Sequence, residues 1–495
     1  MKDLTRRLLT ILSVVSICLL TSCSKDNQET IRLESEADLA GKKIAVATGN
    51  CYDISLTERD DVELHRFNKD ADALQALLNG MTDLYVNDEV VINKYICQEY
   101  GIKTVLRTQE GFPAAFMFRK DEPELADAFT AALHRMEQDG TMERIRDYWM
   151  NDKYVSDKKF THIPVETEGT PLRFVTVVST APLSFMSDGD WYGFEIDILL
   201  EIAKDLHRPL QIELHDVTSA MMALKTGKAD VLGGSVFITP EREEEFLFCE
   251  PYNVVHGAYY AIDRDADNGG HGLIQGLKRS INKNLIAENR WKYITQGLLK
   301  TLKISVLAIL LGSVLGVFLY VMNRSRRKWL RSVANVYNWF IAGIPELVLL
   351  LILFYVVFAS TGFTPDTVAV ITFALYFASA VSDVYASSLD AIPQGQTEAG
   401  LALGFTRVQT FVQIVLPQAL KLGLPLYKGQ CISLLKGTSI VGYIAIQDLT
   451  RAGDIIRSRT FDAFIPLLVV TVIYFLLVWL MGLLLNLVSP KKKVL

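Results

Sequence analysis

The sequence predicts two architectures in series: an α/β domain of two lobes, then an all-α membrane domain of about five transmembrane helices. Three observations predict this. The 495 residues suffice for two or three domains, and half of them are hydrophobic. Charge is divided along the chain: the net −6 combines 17 Lys/Arg against 8 Asp/Glu from Gly297 onward with a strongly acidic preceding part. Such a division argues against nucleic-acid binding and for a membrane domain with basic cytoplasmic edges behind a water-facing domain. Short apolar runs also alternate with helical patterns up to about residue 264, after which long apolar segments take over.

The N-terminus carries Lys2, Arg6 and Arg7 ahead of an apolar core from Leu8 to Leu20. That core has the length of a signal-peptide apolar region and falls short of the ~20 residues of a span. It ends Leu20-Thr21-Ser22-Cys23, which resembles a bacterial lipobox. The resemblance implies a lipoprotein signal peptide over 1–22, cleavage, and a lipidated Cys23 held by membrane lipid. A plain signal or an uncleaved anchor are the alternatives, and all three place the next segment outside the cytoplasm. Residues 23–37 read as a polar tether.

Between residues 38 and 150, Lys43–Thr48 reads as a strand entering a turn at Gly49, Asp70–Asn79 as a helix, Thr82–Val86 as a strand, and Ala126–Trp149 as helix. Residues 171–264 repeat the style. Strands are expected at Arg173–Val178, Leu210–Leu214 and Asp230–Gly234, with helices at Ile196–Leu206 and Ser219–Lys225. An internal echo links the two stretches: Ala76-Leu77-Leu78-Asn79-Gly80-Met81-Thr82-Asp83-Leu84 parallels Ala223-Leu224-Lys225-Thr226-Gly227-Lys228-Ala229-Asp230-Val231. In both, a helix ends at glycine and a strand starts close to an aspartate. This pattern implies two α/β lobes with a ligand crevice between them.

These segments resemble the periplasmic amino-acid-binding proteins of family 3. Phe194-Glu195-Ile196-Asp197 and Ile238-Thr239-Pro240-Glu241-Arg242, ahead of Phe248-Cys249-Glu250-Pro251-Tyr252, look like that family's first half. Asp38-Leu39-Ala40-Gly41-Lys42-Lys43-Ile44, with Asp139-Gly140-Thr141 and Trp149, looks like its second half. The order is swapped. One circularly permuted solute-binding domain over 38–265 accounts for it, since domain termini usually lie close together; two truncated domains are the alternative, and each would expose unpaired sheet edges.

The resemblance implies an amino-acid ligand. Its carboxylate-binding arginine falls on Arg242 and its ammonium-binding aspartate on Asp88, with Ser235 and Gly49 along the cleft. Arginine suits the first role because its fork matches a carboxylate bidentately. Arg242 and Asp88 come from opposite halves, so a bound ligand bridges the lobes. The chain departs from the family at three places: Thr180 and Val217 stand where aromatic rings are usual, and Phe237 where a threonine is. Phe185, Trp191 and Tyr192 either compensate or belong to the core. The identity of the amino acid is left open.

Residues 266–296 form a linker, with glycines at Gly269, Gly270 and Gly272, a basic amphipathic stretch, and Trp291 as an interface anchor. Five spans are expected in the membrane domain, 297–495, at roughly 302–322, 338–360, 367–389, 430–447 and 464–487. Basic clusters at Arg324–Arg331 and Lys491–Lys493 belong in the cytoplasm, which five spans satisfy with the binding lobes outside. Glu346 and Asp383 lie within or beside spans, where acids are costly; either they mark a pathway, or Glu346 sits near the cytoplasmic interface and Asp383 pairs locally.

The polar stretch Ile392–Ala419 then falls inside the cell. Glu398, Leu401, Ala402 and Phe405 recur at helical spacing; Gly404 ends that helix, Thr406 caps a second, and Pro417 is expected to close it. The stretch resembles the coupling loop of ABC importer permeases of the polar amino-acid branch, through Glu398-Ala399, Gly404, Ile414 and Leu416-Pro417, with Gly400 where a second alanine is usual. The resemblance implies an importer subunit whose loop docks a separate ATP-binding cassette ATPase through Glu398, Ala399 and Gly404. It also implies a homodimer or a pairing with a related permease.

The sequence contains no phosphate-cradling G-x-x-x-x-G-K-[ST] motif, no metal-ligand cluster, and six cysteines without framework spacing. Neither a cofactor nor an enzyme is predicted, since no nucleophile–base constellation is recognisable. A ligand-sensing receptor and a ligand-gated channel on the same binding fold are the rival readings. The first needs a cytoplasmic signalling module and the second a filter loop between the lobes.

Overall fold

Apolar, β-branched runs punctuated by glycine become the strands of two sheets. The computed structural model describes residues 31–109, 111–150, 168–177, 181–187, 190–215, 217–263, 273–359 and 361–488. The predicted signal peptide, Cys23, most of the tether, Thr180, the glycine joint at 269–272 and the Lys491–Lys493 cluster lie outside the described residues.

The chain lays down β1 (Lys43–Ala47), β2 (Glu63–Phe67), β3 (Leu84–Asp88) and β4 (Ile102–Arg107), then crosses on β5 (Phe112–Ala114) to β6 (Met117–Arg119). It continues with β7 (Leu172–Thr176), the hairpin β8 (Phe185–Ser187) and β9 (Asp190–Tyr192), β10 (Leu210–Leu214), β11 (Val231–Gly233) and β12 (Phe246–Phe248). β13 (Asn253–Val255) returns it to β14 (Gly257–Ile262).

The strand order is β2-β1-β3-β14-β4 in one lobe and β10-β7-β11-β6-β12 in the other. Each sheet therefore receives one antiparallel strand from the other part of the chain, inserted between its third and fourth. The two crossing strands, β5 and β13, pair with each other and form the joint between the lobes.

The internal echo is a shared structural device. Gly80 (φ +71°) and Gly227 (φ +69°) end the helices Asp70–Leu78 and Val217–Lys225 in left-handed turns that favour glycine. Asp83 then accepts from the Lys43 N–H at 2.9 Å and donates its own N–H to the Lys43 carbonyl at 2.8 Å. Asp230 makes the same two bonds with Arg173, at 2.9 and 2.8 Å. In each lobe the aspartate sets the register of one parallel strand against the first.

Predicted elements hold with small shifts at their ends, and one is divided. The expected helix Ala126–Trp149 is two, Pro123–Gln138 and Thr141–Met150, because Gly140 adopts φ +77° between them. Phe185, Trp191 and Tyr192 lie on the β8–β9 hairpin, where Phe185 stacks edge-on against Trp149.

Among the described residues of the membrane domain three helices are long and apolar enough to span: Trp291–Asn323, Pro365–Asp390 and Phe464–Val488. Two bent pairs raise the total to five if each counts as one span. The expected 338–360 span is one of these, broken at Ile344-Pro345 into Lys328–Gly343 and a second helix from Glu346, with a bend of 107°. Proline supplies no N–H and disfavours helix at the residue before it, which accounts for the break.

The expected 430–447 span is displaced: the helix is Leu416–Gly437, followed by a 3-10 segment to Ile444. Pro417 does not close the loop's second helix. Thr406 caps that helix, as predicted, and does so in a capping box with Gln409, but the chain passes through a π turn (Phe411–Val415) and runs on into the span. Pro417 sits in the first turn of the new helix, where a missing N–H costs nothing.

The first loop helix, Gln394–Ala402, ends before Gly404 (φ +86°). Gly400 is buried against Thr410: a Cβ there would stand 2.6 Å from Thr410 Cγ2. The missing second alanine therefore has a steric cause in this chain. Glu346 lies beside Gly437, at the end of the span remote from the loop, with its Oε2 2.5 Å from where a Gly437 Cβ would be. Asp383 is exposed on its helix.

Candidate ligand-binding cleft

A cavity of about 190 Å³ opens between the lobes, and Arg242, Asp88, Ser235 and Gly49 all line it. Val217 and Phe237 line it too, whereas Phe185, Trp191 and Tyr192 do not and supply no compensating ring.

Arg242 is placed by the start of a short helix, Pro240–Glu245, with Pro240 in its first turn and Thr239 as cap. Its guanidinium donates to the Phe237 carbonyl at 2.9 Å and, across the cleft, to the Gly49 carbonyl at 3.3 Å. Gly49 can present that carbonyl because it holds φ +80°, and Asp53 accepts its N–H at 2.8 Å. Burial draws the Arg242 guanidinium below its ordinary pKa. Among the described residues no carboxylate forms an ion pair with it.

Asp88 ends β3 from the opposite lobe and is 7% exposed. The Tyr52 hydroxyl donates to its Oδ1 at 2.5 Å. Tyr52 reaches it because residue 257 is glycine: a Cβ there would overlap the tyrosine ring. Burial pushes the Asp88 carboxyl up to about 7; the Tyr52 bond opposes this, and the charges of Asp70 and Glu195 add to it. Asp70, also lining the cavity, is pushed up to about 6 by burial, which its bonds to Tyr85 and Asn87 soften. No cation forms an ion pair with Asp88 among the described residues.

Ser235 holds φ +53°, an unusual conformation for a residue with a side chain. The cause is Glu195, fully buried at 0% exposure. Its carboxylate accepts from the N–H groups of Gly234 (2.9 Å) and Ser235 (2.6 Å), and from the hydroxyls of Tyr252 (2.5 Å), Ser184 (3.1 Å) and Ser235 (3.4 Å). Burial raises the Glu195 pKa, and the bonds from Tyr252, the Ser235 N–H, Ser184 and Gly234 hold it back. Glu195 therefore shapes the cleft wall without lining the cavity. Sequence reasoning leaves it inside a motif without a role; the signal available is an acid at the second position of an otherwise apolar helix start, Phe194-Glu195-Ile196.

Comparison with known proteins places the two parts. The model of the binding-protein-dependent transport system inner membrane component matches residues 308–494, and that of the bacterial extracellular solute-binding proteins, family 3, matches residues 172–398. The second match starts at β7 and extends past β14 into the membrane helices, leaving residues 38–150 outside it.

The chain is 32% identical over 201 residues to the putative glutamine transport system permease protein GlnP of Rickettsia typhi, covering 40% of this chain and 92% of the relative. It is 31% identical over 214 residues to the L-cystine transport system permease protein TcyB of Bacillus subtilis, covering 43% and 90%. A crystal structure of an amino acid ABC transporter with histidines aligns over 44% of this chain and 98% of that one, at 30% identity and a TM-score of 0.38.

Replacing Glu195 by alanine leaves several buried donors unanswered, at about 1–3 kcal/mol each. We expect the thermal midpoint of the binding domain in Glu195→Ala to fall by on the order of 10 °C. An unchanged midpoint in differential scanning calorimetry would show that the carboxylate anchors nothing. The chain belongs to the binding-protein-dependent transport system inner membrane components: it is an inner-membrane ABC importer permease joined to a family 3 solute-binding domain on the extracytoplasmic side.

Proposed function

We propose that the imported solute is a polar amino acid, held by Arg242 through its carboxylate and by Asp88 through its ammonium, with Ser235 and Gly49 along its length. One observation carries this reading: two opposite charges, each without an ion-pair partner among the described residues, line one cavity from opposite lobes. A zwitterion supplies both counter-charges at once. Separate monovalent ions would each lose the entropy of confinement for one contact. Glutamine and cystine, named for the two relatives, are the first candidates.

Residues 38–265 are best read as one permuted domain, because the exchange of β6 and β14 completes both sheets. Cys23 is the lipid anchor that tethers this domain. The partner ATPase docks on the loop around Glu398, Ala399 and Gly404. Glu398 and Ala399 are exposed there, with Leu403, Val408 and Val412 exposed nearby. Apolar side chains beside an exposed acid on a cytoplasmic loop suit a protein partner. A homodimer supplies the second half of the pathway, and the outward-facing Asp383 favours it, since a carboxylate turned to lipid is costly.

Three outcomes test this. Arg242→Ala and Asp88→Ala each weaken amino-acid binding by at least about 30-fold in isothermal calorimetry on the full chain. The Asp88 carboxylate pairs with the ammonium only when ionised, so affinity is full near pH 8 and declines as pH falls through about 7; Asp88→Asn removes that acid limb, while the alkaline limb, where the ligand's own ammonium loses its proton, stays. Unaltered affinity in either alanine variant refutes its assigned role.

Glu398→Arg should bind ligand normally but transport at under about a tenth of the wild-type rate, a loss of ~1.4 kcal/mol or more in coupling. Normal uptake in proteoliposomes would strip the loop of its role. Native mass spectrometry should find two copies of this chain per ATPase pair, and a single copy would exclude the homodimer.

A further inference from the structure

The cavity between the lobes has a third wall that belongs to neither lobe. Arg451, Asp454, Ile455 and Ser458 line it together with Arg242 and Asp88. All four lie on the helix Leu449–Thr460, which follows the helical stretch Arg407–Ile444 after a bend of 51° and precedes the last span, Phe464–Val488. Their spacing of three, one and three residues puts them on one helical face. The opposite face, Leu449, Ala452 and Ile456, is buried against Tyr293, Ile294 and Val470 of the spans. The helix is thus amphipathic between the membrane domain and the ligand cavity.

Its ends are well defined. Asp448 caps the start, accepting from the N–H groups of Thr450 and Arg451, and Phe461 closes it at φ +53°. Both lobes bond to it. Lys69 pairs with Asp454 at 2.5 Å, Asp72 with Arg457, and the Tyr100 hydroxyl donates to the Thr460 carbonyl at 2.6 Å. From the other lobe the Leu214 carbonyl accepts from Arg451 at 3.3 Å, and the Arg459 guanidinium lies 4.1 Å from the centre of the Phe185 ring. One permease helix therefore spans the cleft mouth and bonds to both sides of it.

We propose that the ligand site is composite: the permease helix Leu449–Thr460 completes it, and Arg451 is a ligand-contacting, specificity-determining residue. With Arg242 and Asp88 assigned to the ligand's carboxylate and ammonium, Arg451 presents a second guanidinium to an acceptor oxygen at the remaining end, as an amide or carboxylate side chain carries. The inference rests on the amino-acid reading given above. It makes the hand-over to the membrane a withdrawal of one wall, since the ligand is already in contact with the permease before the lobes part.

The test uses the full chain in lipid nanodiscs, with each of the twenty L-amino acids and L-cystine as tritiated probe. The wild-type isotherms come first: binding of none of them overturns the amino-acid reading and this inference with it. For whichever probe binds, Arg451→Ala should weaken affinity about tenfold and alter the rank order among probes, with Arg451→Lys restoring part of the loss.

Independently, a Ser458→Cys variant should be alkylated by N-ethylmaleimide about tenfold more slowly with probe bound. The Glu58→Cys variant, on an exposed surface, should react at an unchanged rate. Wild-type binding together with unprotected Ser458→Cys overturns the composite site while leaving the amino-acid reading intact. That readout stands even if the Arg451 variants fail to fold.

Discussion

Neither sheet of the binding domain is complete without a strand from the other part of the chain. β14 lies between β3 and β4, and β6 between β11 and β12. Removing either would leave two strand edges facing a gap, each with backbone groups that must find partners. The exchange therefore couples the folding of the two lobes. It also fixes the joint, because the chain can cross only on β5 and β13, which pair with one another. The result is a cleft bounded by two sheets joined through one short ribbon, with Asp88 and Arg242 on opposite sides of it.

Within that frame the cleft is governed by burial of charge. A carboxylate or guanidinium away from water is expensive unless partnered. Glu195 is partnered by five donors and so serves as structure, clamping the Gly234–Ser235 turn. Asp88 has one tyrosine hydroxyl and a raised pKa; Arg242 has two carbonyls and a lowered one. The same low-dielectric setting thus separates a scaffold acid from groups available to a ligand, and the difference lies in how many donors or acceptors surround each.

The membrane domain meets this cleft through its own elements. Pro345 breaks the second span and sets Glu346 beside Gly437, while the chain beyond Gly437 turns into the helix that walls the cavity. On the cytoplasmic side the Thr406 capping box starts a helix that continues through a π turn into the fourth span. The loop and the cleft-facing helix are therefore opposite ends of one nearly continuous helical stretch.

Much of this was legible in the residues themselves. Hydrophobic periodicity determined the strands and helices of both lobes, the glycines determined where helices stop, and the division of charge determined the orientation of the spans. Arg242, Asp88, Ser235 and Gly49 were singled out by the resemblance to family 3 binding proteins, and all four line one cavity. What the sequence alone left open depended on long-range neighbours. Pro417 reads as a stop, yet it opens a helix, because only the preceding turn decides whether its missing N–H matters. Gly140 divides a helical pattern whose apolar spacing continues across it. Glu195 reads as one more helix-start acid until Tyr252 and the Gly234–Ser235 turn are brought to it from 39 to 57 residues away. That Arg451 lines one cavity with Arg242 and Asp88 is decided by tertiary structure alone. Local pattern specifies which face of a helix is polar, and only the packing of one domain on another specifies what that face meets.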